Sequence, residues 1–155
     1  MKKSIELLKD KLQAKLQGKI KYFYIGDPVL IPESAMPCIA ISPNQTESTV
    51  ADNSRDKHTH RITVAVIINA KTFFGATPEK MVGSTYLMDI MGGEDSDTTV
   101  NDNTILGVLR NNLNLDTNRW ISNVSTIDYA TRRRAEDLIT LEAIASIDIE
   151  QIVNR

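Results

Sequence analysis

The 155-residue chain is short of several residue types, and each shortage closes off a class of protein. A single cysteine, Cys38, excludes an internal disulfide framework and a cysteine-built zinc site. Four Tyr, three Phe and one Trp leave the core to Ile, Leu, Val, Ala and Met. No apolar run is long: Val64-Ala65-Val66-Ile67-Ile68 falls far short of the roughly 20 residues that span a bilayer. Met1-Lys2-Lys3 leads into Glu6 and Lys9 with no apolar segment behind it, so no secretory signal is expected. Neither sign of charge prevails, since 18 Lys and Arg against 20 Asp and Glu give a net charge of −2. What is present, 41% hydrophobic and 25% charged residues, belongs to a globular chain and not a disordered one. The length suits one domain over 1–155, which would bury roughly 68–70% of its unfolded surface.

The near-zero total hides an asymmetry. Residues 1–80 carry 12 basic and 8 acidic groups (+4), and residues 81–155 carry 6 basic and 12 acidic (−6). The basic excess is mostly Lys2, Lys3, Lys9, Lys11, Lys15, Lys19 and Lys21, and the acidic excess peaks in Asp89, Glu94, Asp95, Asp97 and Asp102. A nucleic-acid binder would interleave aromatic residues with a dominant basic patch, which this chain does not do. The lysines read as a solvated helix face; the sharper reading is that opposite ends steer identical subunits into head-to-tail contact.

Periodicity predicts a first helix from Ser4, as N-cap, to about Gln17, with Ile5, Leu8, Leu12 and Leu16 in one stripe. A strand follows over 20–25, then an extended connector over 29–33. Pro37 to Ser42 reads as a strand ended by Pro43, and His60 to Asn69 as a central one with Ile62, Val64, Val66 and Ile68 on one face. The polar, aperiodic stretch 44–57 then lies within a hairpin connection, from Ser42 to His60, of roughly 15–18 residues, far longer than the usual two to eight. Thr77-Pro78-Glu79 should start a second helix that Gly92-Gly93 ends, and 103–112 a third after an acidic loop. Trp120 to Tyr129 and about Asp137 to Gln151 should be strands joined through Thr131-Arg132-Arg133-Arg134. The last has a polar side of Thr140, Glu142, Ser146, Asp148 and Glu150 that should see solvent or a partner. The expected fold class is α+β: an antiparallel sheet with helices on one face, a long hairpin excursion and a single domain.

The chemistry-bearing residues form no strong motif. His58 and His60 point to one side of a strand, as metal ligands do, and Asp52 and Asp56 lie nearby in sequence, so a metal-dependent hydrolase or nuclease is the alternative from another class. No third ligand is fixed by spacing, and two strand-edge histidines are the plainer reading. Cys38 reads as a core filler. The glycines form no phosphate loop, and the acidic stretch lacks the calcium-loop pattern. Arg132, Arg133 and Arg134 read either as a solvated turn or as a grip on phosphate or a carboxylate-rich partner. No catalytic residue, metal site or cofactor is expected. A cellular adaptor whose long hairpin binds a partner is a third reading.

Met36-Pro37-Cys38-Ile39-Ala40-Ile41, the polar excursion to Arg61-Ile62-Thr63-Val64-Ala65-Val66-Ile67-Ile68-Asn69, then Arg132-Arg133-Arg134-Ala135-Glu136 and the terminal Ile147-Asp148-Ile149-Glu150 carry a resemblance of pattern and order. In these the chain resembles the tail terminator proteins of long-tailed bacteriophages and the related tail-completion proteins of the head–tail neck. The resemblance implies a hexameric ring that caps the tail tube, stops its polymerisation and joins the tail to the head connector or neck proteins. It places the protein in the virion, assembled in the host cytoplasm, with no membrane partner and with DNA passing through the lumen without sequence-specific binding. Ser48, Asp52, Arg55, Asp56, Lys57, Arg132, Arg133 and Arg134 become candidates for contacts between subunits or with the tube. Glu94, Asp95, Asp97 and Asp102 become candidates for a lumen that repels the DNA backbone.

Overall fold

Ile62, Val64, Val66 and Ile68 alternate along one strand and Ala143, Ala145, Ile147 and Ile149 along another; paired antiparallel, they make one apolar wall. A computed structural model describes residues 1–73, 82–92 and 101–154. The elements are α1 (Lys2–Leu16), β1 (Tyr22–Ile25), β2 (Cys38–Val50), β3 (Arg55–Asn69), α2 (Ala70–Phe73), α3 (Val82–Met91), α4 (Ile105–Asn111), β4 (Asn114–Asp116), β5 (Arg119–Ala135) and β6 (Leu138–Asn154), with a 3-10 turn at Glu33–Ala35. The strands form one sheet in the order β1-β2-β3-β6-β5-β4. Neighbours are antiparallel except β1 and β2, which run parallel because the 26–37 connection carries the chain back along the sheet.

The helices pack on one face of this sheet, as an α+β chain should. The α1 stripe of Ile5, Leu8, Leu12 and Leu16 is buried in the main core, where α1 meets α4, β1 and β2, each Leu contributing about 1.5–3 kcal/mol of burial. Leu87, Ile90 and Met91 of α3 and Ile105, Val108 and Leu109 of α4 complete this layer. Ser4 does not cap α1; the helix starts at Lys2 and Ser4 is buried in its first turn. Thr104 does cap α4, accepting from Gly107 N at 3.1 Å while donating to Asn101 O at 2.7 Å, a contribution of about 1 kcal/mol. At Gly107 a Cβ would run into the Asn101 carbonyl, so only glycine fits under that cap.

The structure corrects four further expectations. First, the polar stretch 44–57 is strand: β2 runs through Pro43 to Val50, β3 starts at Arg55, and only Ala51 to Ser54 turn the chain. Pro43 is tolerated because no described strand lies on its outer side to bond, and the register shifts just after it, between Pro43 and Gln45. No alternation marked this stretch because its β2 side chains are exposed on both faces. Second, Arg132, Arg133 and Arg134 lie on β5; the turn is Glu136-Asp137, closed by the Ala135–Leu138 pair.

Third, the polar side of β6 is not solvent-facing throughout, since Thr140 and Glu142 are buried. There a second, smaller core of Ile31, Ala35, Met36, Cys38, Ala40, Ala65, Ile67 and Leu138 lies under the connection between β1 and β2. Fourth, the histidines are not at an edge, because β3 lies between β2 and β6. The start of the second helix at Thr77-Pro78-Glu79 lies outside the described residues, and so does most of the acidic loop.

Candidate functional site

The face opposite the helices carries the chain's organised polar chemistry. Near the Glu136-Asp137 turn it holds a buried charge cluster. Arg134, only 8% exposed, donates from Nε to Glu142 Oε1 (2.6 Å) and from Nη1 to Asp27 Oδ1 (2.7 Å) and to the Pro28 carbonyl (2.9 Å). Burial opposes its charge, but the bonds to Glu142 and Asp27 outweigh that and raise the guanidinium above its ordinary pKa. Glu142 is fully buried; Thr140 Oγ1 donates to its Oε1 at 2.8 Å, and Arg132 Nε lies 3.4 Å from its Oε2 without a hydrogen bond. A recess of about 180 Å³ opens beside the cluster, lined also by Ser42, Thr63 and Ile144.

Toward the hairpin tip the same face is uncovered and ties off its own charges. Arg61 pairs with Asp148 at 2.9 Å and Lys57 with Glu150 at 3.0 Å, both across the β3–β6 boundary. One step further from the tip than Arg61 and Asp148, the hydroxyl residues Thr63 and Ser146 face each other in register. At the tip, Asp52 Oδ1 accepts from Ser54 N and Oγ, while Arg55 Nε donates to Asp52 Oδ2 at 2.7 Å. The Arg55 and Ser54 bonds hold the Asp52 carboxyl at about 2.

His58 and His60 do share a face, with ring centroids 6.0 Å apart. His60 is buried and engaged: Thr46 Oγ1 lies 3.1 Å from Nδ1, and Gln151 Oε1 and the Met1 amine lie 3.2 Å from Nε2. A neutral ring with its proton on Nε2 satisfies Gln151 and accepts from Thr46. Burial is the main cause lowering its pKa. Asp52 is turned to Arg55, and among the described residues no three His, Cys, Asp or Glu side chains gather where they could hold a metal ion. Cys38 is buried, and that burial pushes its thiol up to about 12.

Of the contact candidates, Ser48, Asp52, Arg55, Asp56 and Lys57 come together at the far end of β2 and β3. The arginines divide: Arg133 is exposed and braces the Glu136 carbonyl, Arg132 is half-exposed, and Arg134 is buried in the pair with Glu142. Asp102 is exposed just before α4 and accepts from Asn111 Nδ2. Glu94, Asp95 and Asp97 lie outside the described residues. Sequence reasoning missed Glu142 and Asp27, which lie far apart in the chain; the short Glu136-Asp137 turn was the one local signal that brings Arg134 opposite β6.

A second recess, about 440 Å³, lies between α4 and β5 and is lined by Leu106, Arg110, Leu113, Ile121, Val124 and Ile127, among others. Among the described residues no helix is long and apolar enough to cross a membrane.

No protein-family model matches the chain, and no curated protein matches it. Among solved structures, a chain of the virion of a native gene transfer agent (GTA) particle is similar over 90% of this chain and 84% of its own, with 14% identity. The TM-score is 0.35, a likeness that carries no argument by itself.

Proposed function

We propose that the protein is a non-enzymatic structural subunit of a virion: a ring-former, hexameric like the tail terminators it resembles, that caps the tail tube and meets the head connector on its other side. The observation that carries the reading is the uncovered half of the sheet face opposite the helices. Two charge pairs on it are tied off in place, Arg61 with Asp148 and Lys57 with Glu150, and the hydroxyl residues Thr63 and Ser146 lie beside the first. Such a wall offers a DNA backbone neither a row of free cations nor a base-reading surface, so a polyanion would pass it without being held. Asp102 is exposed next to α4, on the helix side of the sheet, so it does not add to this wall, and Glu94, Asp95 and Asp97 remain proposed lumen acids only.

The experiment is electron microscopy of the purified protein, alone and mixed with tail tubes. Six-fold rings at tube ends are the expected result. Tubes that keep growing in a molar excess of the protein, with bare ends, would reject the reading.

A further inference from the structure

The sheet has two open edges. β1 pairs only with Cys38 to Ile41 of β2, and β4 only with Arg119 and Trp120 of β5. Beyond those residues no described strand lies on the outer side of β2 or of β5. Irregularities restrict each edge to a short regular window. After the break between Pro43 and Gln45, the six residues Gln45 to Val50 pair with β3 without interruption. Between the breaks at Val124/Ile127 and Arg133/Ala135, the seven residues Ile127 to Arg133 pair with β6 without interruption. Gln45 to Val50 are all exposed, and so are Asp128, Tyr129, Thr131, Arg132 and Arg133. Proteins commonly use bulges to spoil an edge for pairing. Here the breaks, with the hairpin turn at the far end of β2, bound two windows of nearly equal length and leave them intact.

Topology sets the direction of any pairing. β2 runs against β3, β3 against β6 and β6 against β5, so β2 and β5 run opposite ways. A second copy that continues the sheet without inverting it therefore lays its β2 antiparallel beside β5, the more stable arrangement. Side chains then choose the register. Val50, 69% exposed, and Tyr129, 45% exposed, are the large apolar side chains left uncovered on these windows, and both sit on the helix side of the sheet. Opposing them places Glu47 opposite Arg132 on the other face and Ser48 opposite Thr131. A slip of one residue turns Val50 and Tyr129 to different faces, and a slip of two separates both pairs.

We infer that β5 of one copy takes the open edge of β2 from a second copy as an added strand, with Val50 opposite Tyr129 and Glu47 opposite Arg132. The two edges differ, so the contact is head-to-tail and repeats around a closed ring. β1 and β4 block diagonal corners of the sheet, so neighbours are staggered along the strands. A stagger of that kind accompanies strand tilt when a sheet closes around an axis. The contact deepens the ring proposed above, though it stands on the edges alone.

The test uses the full chain with Val50→Cys and Tyr129→Cys together, oxidised with diamide; buried Cys38 does not compete. Opposed positions on antiparallel strands are close enough for a disulfide. A ladder of covalent multimers on a denaturing, non-reducing gel is expected, ending at the size of the ring. Either single variant, or the slipped pair Val50→Cys with Thr131→Cys, should give at least tenfold less. Glu47→Arg, at an exposed site where the Gln45 amide donates to the carboxylate, should raise the midpoint concentration for association about fivefold with the fold unchanged. Six-fold rings without the cross-link would overturn this contact and leave the ring reading standing. A ladder from a protein that ignores tail tubes would keep the contact and remove the tail reading. A chain that stays monomeric and uncross-linked overturns the contact.

Discussion

His60 is a buried imidazole faced by Thr46, Gln151, His58, Arg119 and the Met1 amine, with no carboxylate among them. Its folded pKa is below the model-peptide value of about 6.5, so between the two values the unfolded chain binds the proton. Its contribution to stability is complete above about pH 6.5 and is lost as pH falls toward the depressed folded value. Urea melts at pH 7.5 and 5.5 should show a drop in the parent that is smaller in His60→Gln; equal drops would mean that the ring is already solvated. Arg134 poses the opposite problem, a cation buried because Glu142 and Asp27 need it. Arg134→Met strands a fully buried carboxylate with Thr140 and a half-exposed Arg132, and should cost about 3–5 kcal/mol in urea unfolding. A loss below about 1 kcal/mol would show that water replaces the guanidinium readily.

At the scale of elements, the hairpin is where sequence and structure part most. The apolar stripes of α1, β3 and β6 were legible because one side of each is dry, and burial imprints a period on the residues. Residues 44–57 carry no such imprint, although they are strand, because their β2 half is wet on both sides. The stretch is not a loose segment waiting for a partner: β3 from Arg55 onward is paired with β6 as well as β2. Deleting Ser48 to Asp56 would bring Glu47 and Thr59, already partners, to the ends of a two-residue turn at Lys57-His58. That variant should fold with a melting temperature within a few degrees of the parent, yet fail to form rings or cap tubes. Normal capping by the folded variant would remove the tip and the β2 window from the assembly contacts.

For the whole molecule, part of the charge of the +4 and −6 halves meets inside the fold among the described residues. Arg61 to Asp148 and Lys57 to Glu150 join cations of the first half to acids of the second, at the centre of the sheet. What remains of the basic excess is largely α1, where Lys2, Lys3 and Lys15 are exposed on the side away from the core. The charge asymmetry therefore does less to steer subunits than its size implied, and the open edges of β2 and β5 offer the more specific means.

The sequence by itself determined the α+β class, the apolar stripe of α1, the core faces of β3 and β6 and the lack of any catalytic motif. Each of these depends on residue type and on spacing within one element. The tertiary structure decided the rest: that Glu142 is inside, that Arg134 belongs to it and to Asp27, that His60 is central, and that among the described residues two edges stay unpaired. The physical reason is common to all four. Whether a polar side chain or a backbone edge meets water or protein depends on segments distant in sequence, such as the connection over 26–37 lying on the second face of the sheet. Local periodicity records only the burial that alternates within a single strand or helix.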